Sequence, residues 1–309
     1  MPLLRDLFLA MSTNALMRDF VVGFPLTRRV TRRFVAGETV DEAIEVIQKL
    51  STQGIDVTFD QLGESVTNEA EARAAKDGYL RALDAITAHR VTAQMSVKLT
   101  QMGLDLHPDL CLANLREILA RAKQIGTLVT IDMEDSQHTQ VTLNVFKTLR
   151  EEFGNVGIVL QSYLYRSEQD LKQLIALGAN VRLCKGAYKE PATVAFPQKE
   201  EVDANYVKLA QLFFDSNGAA HAAYLDLATH DEKIIAWAKE YVTAHQVDRK
   251  RFEFQMLYGI RSDLQRKIVA EGYTMRVYVP CGTHWYPYFM RRLAERPANV
   301  IFLISNLFR

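Results

Sequence analysis

The chain has 309 residues, of which 48% are hydrophobic and 24% charged, and its 37 basic residues balance 37 acidic ones. This composition is typical of a globular protein with a sizeable core, and a formal net charge of zero argues against nucleic acid or an anionic membrane surface as a partner. The three cysteines are widely spaced and form neither a CxxC pair nor a zinc-type cluster, so we expect free thiols in a reducing compartment and no metal site.

The first 50 residues are predicted to form a helical extension. Residues 1–35 are predicted to be helical and to lie outside the barrel. The first 20 are fairly apolar, but Asp6 and Asp19 interrupt them and a basic start followed by a small-residue cleavage site is missing, so a signal peptide is not expected. Thr39–Leu50 is predicted to be a further helix. No apolar run approaches the roughly 18 residues that a membrane span requires, and a cytoplasmic protein is expected.

Residues 51–309 are predicted to form a single domain in which short apolar runs alternate with longer segments of helical periodicity. The predicted strands are Ile55–Phe59, Thr92–Leu99, Leu128–Met133, Gly157–Gln161, Val181–Cys184, Ala223–Ala228, Phe252–Leu257 and Met275–Val279. The predicted helices are Glu69–Ala88, Leu110–Ile125, Gln140–Phe153, Glu168–Leu177, Asp203–Ser216, Glu232–His245 and Ser262–Glu271. Eight such repeats predict an α/β fold with parallel strands closed into a (β/α)8 barrel.

Polar residues stand at the ends of these apolar strands. They are Asp60, Lys98, Asp132, Gln161, Lys185, Thr229, His230, Gln255 and Tyr278. Each alone has an ordinary explanation as a helix cap or a loop hydrogen bond, but burying all of them without a function would be costly. Since barrels of this type have their active sites at the carboxyl ends of the strands, the ring is predicted to be the active site.

From these residues alone, several functions remain open. A Schiff-base aldolase would use Lys98 or Lys185 as its nucleophilic amine. That class commonly has glycine-rich phosphate loops after the seventh and eighth strands, whereas QMLYGIRSD and VPCGTHWYP contain one glycine each. A non-catalytic barrel would have small apolar strand ends, which this chain lacks. No GxGxxG follows the first strand, so a Rossmann-type dinucleotide site is not expected.

Several longer motifs narrow the choice. They are SVKL (96–99), IDMED (131–135), VLQSYL (159–164), VRLCKGAY (181–188), ATHD (228–231), FEFQMLYG (252–259) and VYVPCGTHWYPYFMRRLAER (277–296). Together they resemble the proline dehydrogenases, both standalone enzymes and the dehydrogenase portion of bifunctional proline utilisation enzymes. The resemblance runs in order from about residue 50 to the end of the chain. It implies FAD-dependent oxidation of L-proline to Δ1-pyrroline-5-carboxylate, with hydride transfer to flavin N5.

The resemblance also implies which residues bind the substrate. These are Lys98, Leu257, Tyr278, Arg291, Arg292 and Glu295. The two arginines would hold the proline carboxylate with help from Lys98, since guanidinium groups bind carboxylates through paired hydrogen bonds. Glu295 lies three and four residues after them, within reach on a helix. Tyr278 and Leu257 would pack on the two sides of the substrate ring, and the helix that carries the arginines is expected to cover the barrel mouth.

A second set is implied to bind FAD. It consists of Met133, Gln161, Arg182, Cys184, Lys185, Gly186, Ala187, Tyr188, Thr229, His230 and Gln255. Two residues are expected to be catalytic: Arg182, beside flavin N5, and Asp132, which would hold Lys98 and modulate charge near the substrate amine. Asp231 stands where many relatives have asparagine, which puts local hydrogen bonding in doubt.

The resemblance finally implies that electrons pass to a membrane quinone. The terminal run NVIFLISNLF (299–308) is open to two interpretations: packing against the barrel, or weak peripheral contact with the inner membrane. The sequence does not distinguish them.

Overall fold

The computed structural model describes residues 31–63, 65–216 and 222–295, with side chains to residue 290. Most of the predicted N-terminal extension and the terminal apolar run therefore lie outside the described residues. The division into residues 1–50 and 51–309 stays a prediction.

The described residues contain a closed barrel of eight parallel strands in the order β1 to β8, each strand pairing with the next and β8 with β1. The strands are β1 (Asp56–Gln61), β2 (Gln94–Val97), β3 (Val129–Ile131), β4 (Val156–Gln161), β5 (Asn180–Cys184), β6 (Tyr224–Ala228), β7 (Phe252–Leu257) and β8 (Met275–Cys281). The helices are α1 (Val40–Ser51), α2 (Glu69–Ala88), α3 (Pro108–Gln124), α4 (Thr139–Glu152), α5 (Ser167–Ala176), α6 (Lys199–Asp215), α7 (Glu232–Ala244), α8 (Ser262–Ala270) and α9 (Trp285–Glu295). The predicted (β/α)8 barrel is confirmed.

Boundary differences have local causes. The predicted second strand was too long, because the chain turns directly after β2, where the Met102 amide bonds the Leu99 carbonyl. Helix α6 begins four residues earlier than predicted. Gln198 and Glu201 form a capping box there, and glutamine is not among the residues that usually signal a helix start.

Successive residues along each strand alternate between the outer face of the barrel, which packs against the helices, and the barrel interior. Val57, Phe59, Met95 and Val97 are fully or almost fully buried in the main hydrophobic cluster, with residues of the surrounding helices. The residues between them on the same strands are polar and meet inside the barrel, where Arg182 bonds both Ser96 and Gln255 from other strands. Barrel interiors are more often filled by branched apolar side chains, so a polar interior at this end indicates a site rather than a core.

Helix α9 closes one side of the barrel mouth. A second apolar cluster joins its first two turns to residues that follow strands β1 and β7 and to the segment before α1. Its members are Phe34, Val35, Leu62, Ile260, Trp285, Tyr286, Tyr288, Phe289 and Met290. The aromatic string therefore packs as a helix face, and the expectation that this helix covers the mouth is confirmed.

Candidate functional site

A cavity of about 1650 Å³ opens at the carboxyl ends of the strands. Its lining includes every residue of the predicted polar ring and every predicted cofactor residue, together with Leu257. Barrel topology explains this convergence, because parallel strands all end on one face. The side chains of Arg291, Arg292 and Glu295 lie outside those described, so their predicted positions stay untested.

The Asp132 carboxylate is the centre of the ring. Oδ1 accepts hydrogen bonds from Ser96 Oγ at 2.7 Å and from Arg182 Nη1 at 3.0 Å. Oδ2 accepts from Tyr278 Oη at 2.8 Å and lies 3.5 Å from Lys98 Nζ. Four donors on or directly after strands β2, β5 and β8 thus fix one carboxylate, and that arrangement also orients the donors.

Lys98 is held more closely by Asp60 than by its predicted partner Asp132, at 3.0 Å and 3.5 Å respectively. Burial lowers the pKa of Lys98, but Asp60, Tyr278 and Asp132 together keep it well above the usual range. The pKa of Asp60 is raised, because burial outweighs the attraction of Lys98. A lysine that forms Schiff bases needs a lowered pKa, so this environment does not favour the aldolase alternative.

Arg182 lies at the floor of the cavity and is 3% exposed. Its Nε donates to Gln255 Oε1 at 2.7 Å, and its guanidinium stands 5.3 Å from the centre of the Tyr278 ring. Burial lowers the pKa of Arg182, but Asp132 and other neighbours keep it above the usual value, so the group is a fixed cation. Among the described residues, Arg182 Nη2 and Gln161 Oε1 are buried without a hydrogen-bond partner.

The loop after β5 forms one wall of the cavity. Gly186 has φ +110°, and a Cβ there would come within 2.5 Å of the Tyr163 ring. Only glycine fits both the backbone angle and the space. Lys185 Nζ next to it pairs with Asp203 at 2.5 Å and Asp231 at 2.8 Å.

Two further predicted residues are fixed by the backbone around them. His230 Nε2 accepts a hydrogen bond from the Leu257 amide at 3.0 Å, which ties the loop after β6 to the end of β7. Helix α7 is capped by Asp231, whose side chain accepts from the Lys233 amide, and not by His230. The acidic residue thus serves both as a helix cap and as a partner of Lys185.

Sequence reasoning missed several polar residues of the interior. Ser96 had no assigned role, yet it links Arg182 to Asp132. Asp226, Glu253 and Arg276 are buried charged residues inside strands and were not noted either. The signal was present as alternation, since each of these positions interrupts an apolar strand with a polar or charged residue on its inward face.

Asp226 leads to a pH-dependent prediction. Burial, and then the neighbouring Glu253, raise its pKa from 3.8 to about 7. A carboxyl group with a raised folded-state pKa stabilises the protein at low pH, and that contribution is lost as pH rises through about 7. Asp226→Asn is therefore expected to raise Tm relative to the parent more at pH 8 than at pH 5. Thermal unfolding at both pH values checks this, and an equal shift at the two would contradict it.

The described part of the chain has neither a metal-binding cluster nor a membrane-spanning helix. No group of three or more His, Cys, Asp or Glu side chains there could hold a metal ion. Among the helices of residues 31–63, 65–216 and 222–295, none is long and apolar enough to cross a bilayer.

Comparisons with known proteins bear on the family of the chain. The family described as "Proline dehydrogenase" matches residues 43–304. The chain is 44% identical to proline dehydrogenase 1 of Bacillus subtilis strain 168, over 99% of this chain and 100% of the relative. It is 45% identical to proline dehydrogenase of Deinococcus radiodurans, over 91% and 90% of the two chains.

Among solved structures, the fold is similar to proline utilization A (PutA) from Bdellovibrio bacteriovorus inactivated by N-propargylglycine, with a TM-score of 0.79 and 27% identity. That match covers 86% of this chain and 32% of the larger PutA chain, so this chain spans about a third of PutA. The match over most of the sequence and the near full-length relatives leave one conclusion: the chain belongs to the proline dehydrogenase family.

Proposed function

We propose that the cavity binds FAD and L-proline together, and that the chain oxidises proline by hydride transfer from proline C5 to flavin N5. Proline oxidation, the first step of proline catabolism, is the activity of the family to which the chain belongs. The observation that carries the assignment of the site is the buried Asp132–Arg182–Tyr278 cluster on the cavity floor.

The residues present fit a flavin dinucleotide. Ligand cavities of drug-sized molecules occupy about 300–1,000 Å³, and this one, at about 1650 Å³, has room for a dinucleotide and a small amino acid. Arg182 Nη2 and Gln161 Oε1 offer one unpaired donor and one unpaired acceptor. The flavin edge carries carbonyl, ring nitrogen and N–H groups that match both. Gly186 lines the cavity, and its lack of a side chain lets the loop after β5 pack directly against the Tyr163 ring.

In the reaction, the neutral amine form of proline loses a hydride from C5 and a proton from its nitrogen to solvent, and a C=N bond forms to give Δ1-pyrroline-5-carboxylate. FAD, when bound, supplies the hydride acceptor. Arg182 supplies a buried positive charge that would stabilise the negative charge developing on the hydride acceptor in the transition state. Asp132 holds that guanidinium in place, together with Ser96. The pKa of Tyr278 is raised well above its usual range by burial, so its hydroxyl stays a donor to Asp132.

Substrate binding is assigned to the part of the cavity next to this cluster, around Lys98. Lys98 stays charged between Asp60 and Asp132 and can attract the proline carboxylate. Tyr278 and Leu257 line the cavity and can pack against the pyrrolidine ring. Arg291 follows the cavity-lining Pro287 and Tyr288 by four and three residues, the spacing of one helix face. We assign the carboxylate clamp to Arg291 and Arg292, with Glu295 one turn later.

Electron transfer to a membrane quinone completes the proposal. It rests on the family resemblance, as does peripheral membrane contact through the terminal run. Anaerobically reduced enzyme is expected to be reoxidised by a short-chain quinone, and the recovery of flavin absorbance measures this reoxidation.

The experiment that tests the function is an absorbance spectrum of the purified protein, followed by anaerobic addition of L-proline. We expect an oxidised flavin spectrum that bleaches with L-proline and persists with L-alanine, which has no ring nitrogen. Protein that stays colourless after FAD is supplied would overturn the cofactor assignment. A flavin spectrum that L-proline leaves unchanged would overturn the assignment of the substrate to this cavity.

A further inference from the structure

A chain of buried polar contacts continues below the cavity floor. Its members are Arg182, Gln255, Glu253 and Arg276, which are 3%, 2%, 2% and 8% exposed. Glu253 and Gln255 occupy alternate positions on β7, and both point into the barrel with Arg276 of the neighbouring strand β8. None of the functions assigned above uses Glu253 or Arg276.

The contacts connect end to end. Arg276 donates to Glu253 through Nε at 2.6 Å and through Nη2 at 3.0 Å. Gln255 Nε2 donates to Glu253 Oε1 at 2.7 Å, and Gln255 Oε1 accepts from Arg182 Nε at 2.7 Å. On its far side, Arg182 bonds Asp132 and Ser96.

The donor and acceptor rules allow only one arrangement of these hydrogen bonds. A guanidinium only donates and a carboxylate only accepts, whereas an amide does both from different atoms. Glu253 therefore requires the NH2 group of Gln255 to face it, and the Gln255 oxygen must then face Arg182. If the acceptor at Glu253 is removed, the Gln255 NH2 group loses its partner, and only the bond to Arg182 then holds the amide.

We propose that Glu253 is a positioning residue which, through the amide of Gln255, holds the Arg182 guanidinium at the cavity floor. Arg276 fixes the Glu253 carboxylate by a two-point contact through Nε and Nη2. This inference rests on the proposed role of Arg182 beside the flavin.

A structural role for the Glu253–Arg276 pair has to be separated from this positioning role. Removing one member of a buried pair leaves an uncompensated charge and is strongly destabilising, whereas replacing both by apolar residues is often neutral. The double variant Glu253→Met/Arg276→Met removes one negative and one positive charge, so it leaves the local net charge unchanged. It also removes the acceptor for Gln255, and any effect at the flavin then reports the position of Arg182.

The experiment compares flavin-loaded wild type, the double variant and Asp56→Asn. Asp56 contacts Arg276 Nη2 at 3.2 Å from the other side and is half exposed, so its variant disturbs Arg276 without touching Gln255. We measure kcat and KM for L-proline, Tm, and the midpoint potential of the bound flavin. For the double variant we expect kcat about 10- to 100-fold lower, because small misplacements of catalytic groups have effects of this size. We also expect a lower midpoint potential, with KM and Tm close to wild type. Asp56→Asn should match wild type in all four.

A folded double variant with wild-type kcat and midpoint potential would overturn the positioning role. If that variant does not fold, Glu253→Gln decides the question. The glutamine side chain keeps one acceptor oxygen but brings an NH2 group against Arg276. We therefore expect kcat and the midpoint potential to fall less than in the double variant. Wild-type values of both would overturn the positioning role. Proline-dependent bleaching of wild-type flavin tests the proposed function separately, so the two can fail independently.

Discussion

Replacing Arg182 with methionine is expected to lower kcat for L-proline by about 10²- to 10³-fold, the range seen when one preorganised electrostatic group is removed from an active site. Arg182 is a fixed, buried cation on the cavity floor, held by Asp132, Ser96 and Gln255. Its charge is therefore in place before the reaction begins and needs no reorganisation. Methionine keeps much of the volume and removes the charge. Anaerobic stopped-flow reduction of the bound flavin by L-proline measures the effect on the chemical step directly.

Arg182→Lys is the matched control for that variant. Lysine keeps the positive charge but cannot bond Gln255, Ser96 and Asp132 at once from a rigid fork. It should restore part of the rate. Flavin content and Tm establish that each variant is folded and loaded. A methionine variant that reduces its flavin at the wild-type rate would remove Arg182 from the mechanism.

Replacing Arg291 or Arg292 with alanine is expected to raise KM for L-proline sharply while FAD stays bound. Hydrogen bonds to charged groups contribute about 1.5–3 kcal/mol each, which corresponds to roughly 10- to 150-fold in affinity. The helix that carries both positions closes the cavity with Pro287 and Tyr288. A carboxylate clamp acts on substrate binding, so the effect should fall on KM more than on kcat. Steady-state kinetics and the flavin spectrum of each variant check both parts.

Arg266→Ala, on the exposed face of α8, is the control for removing one positive charge from the surface. It should leave KM unchanged. Wild-type KM in both Arg291→Ala and Arg292→Ala would defeat the clamp assignment. Loss of flavin from either variant would instead place that arginine at the cofactor.

Sequence patterns were sufficient for the architecture and for the location of the site. Strand segments with a period of two alternate with helical segments with a period of about 3.6, and this unit occurs eight times. Parallel strands in a closed barrel bring their carboxyl ends to one face. Asp132, Gln255 and Tyr278 could therefore be placed together without knowing any distance, whereas Arg182 was assigned to the site only through the family resemblance. The RLCKGAY and RRLAER motifs then identified the family, which the comparisons confirmed.

Tertiary structure alone decided which of these groups are partners. Asp60, not Asp132, is nearest to Lys98, and Ser96 bonds both Arg182 and Asp132. Arg182 and Ser96 are 86 residues apart, and the Arg182–Gln255 pair is 73 apart. Alternation tells which face of a strand a side chain occupies, but several donors and acceptors share the inward face. Which of them meet depends on the register and stagger of all eight strands after closure, and no local pattern in the chain encodes that.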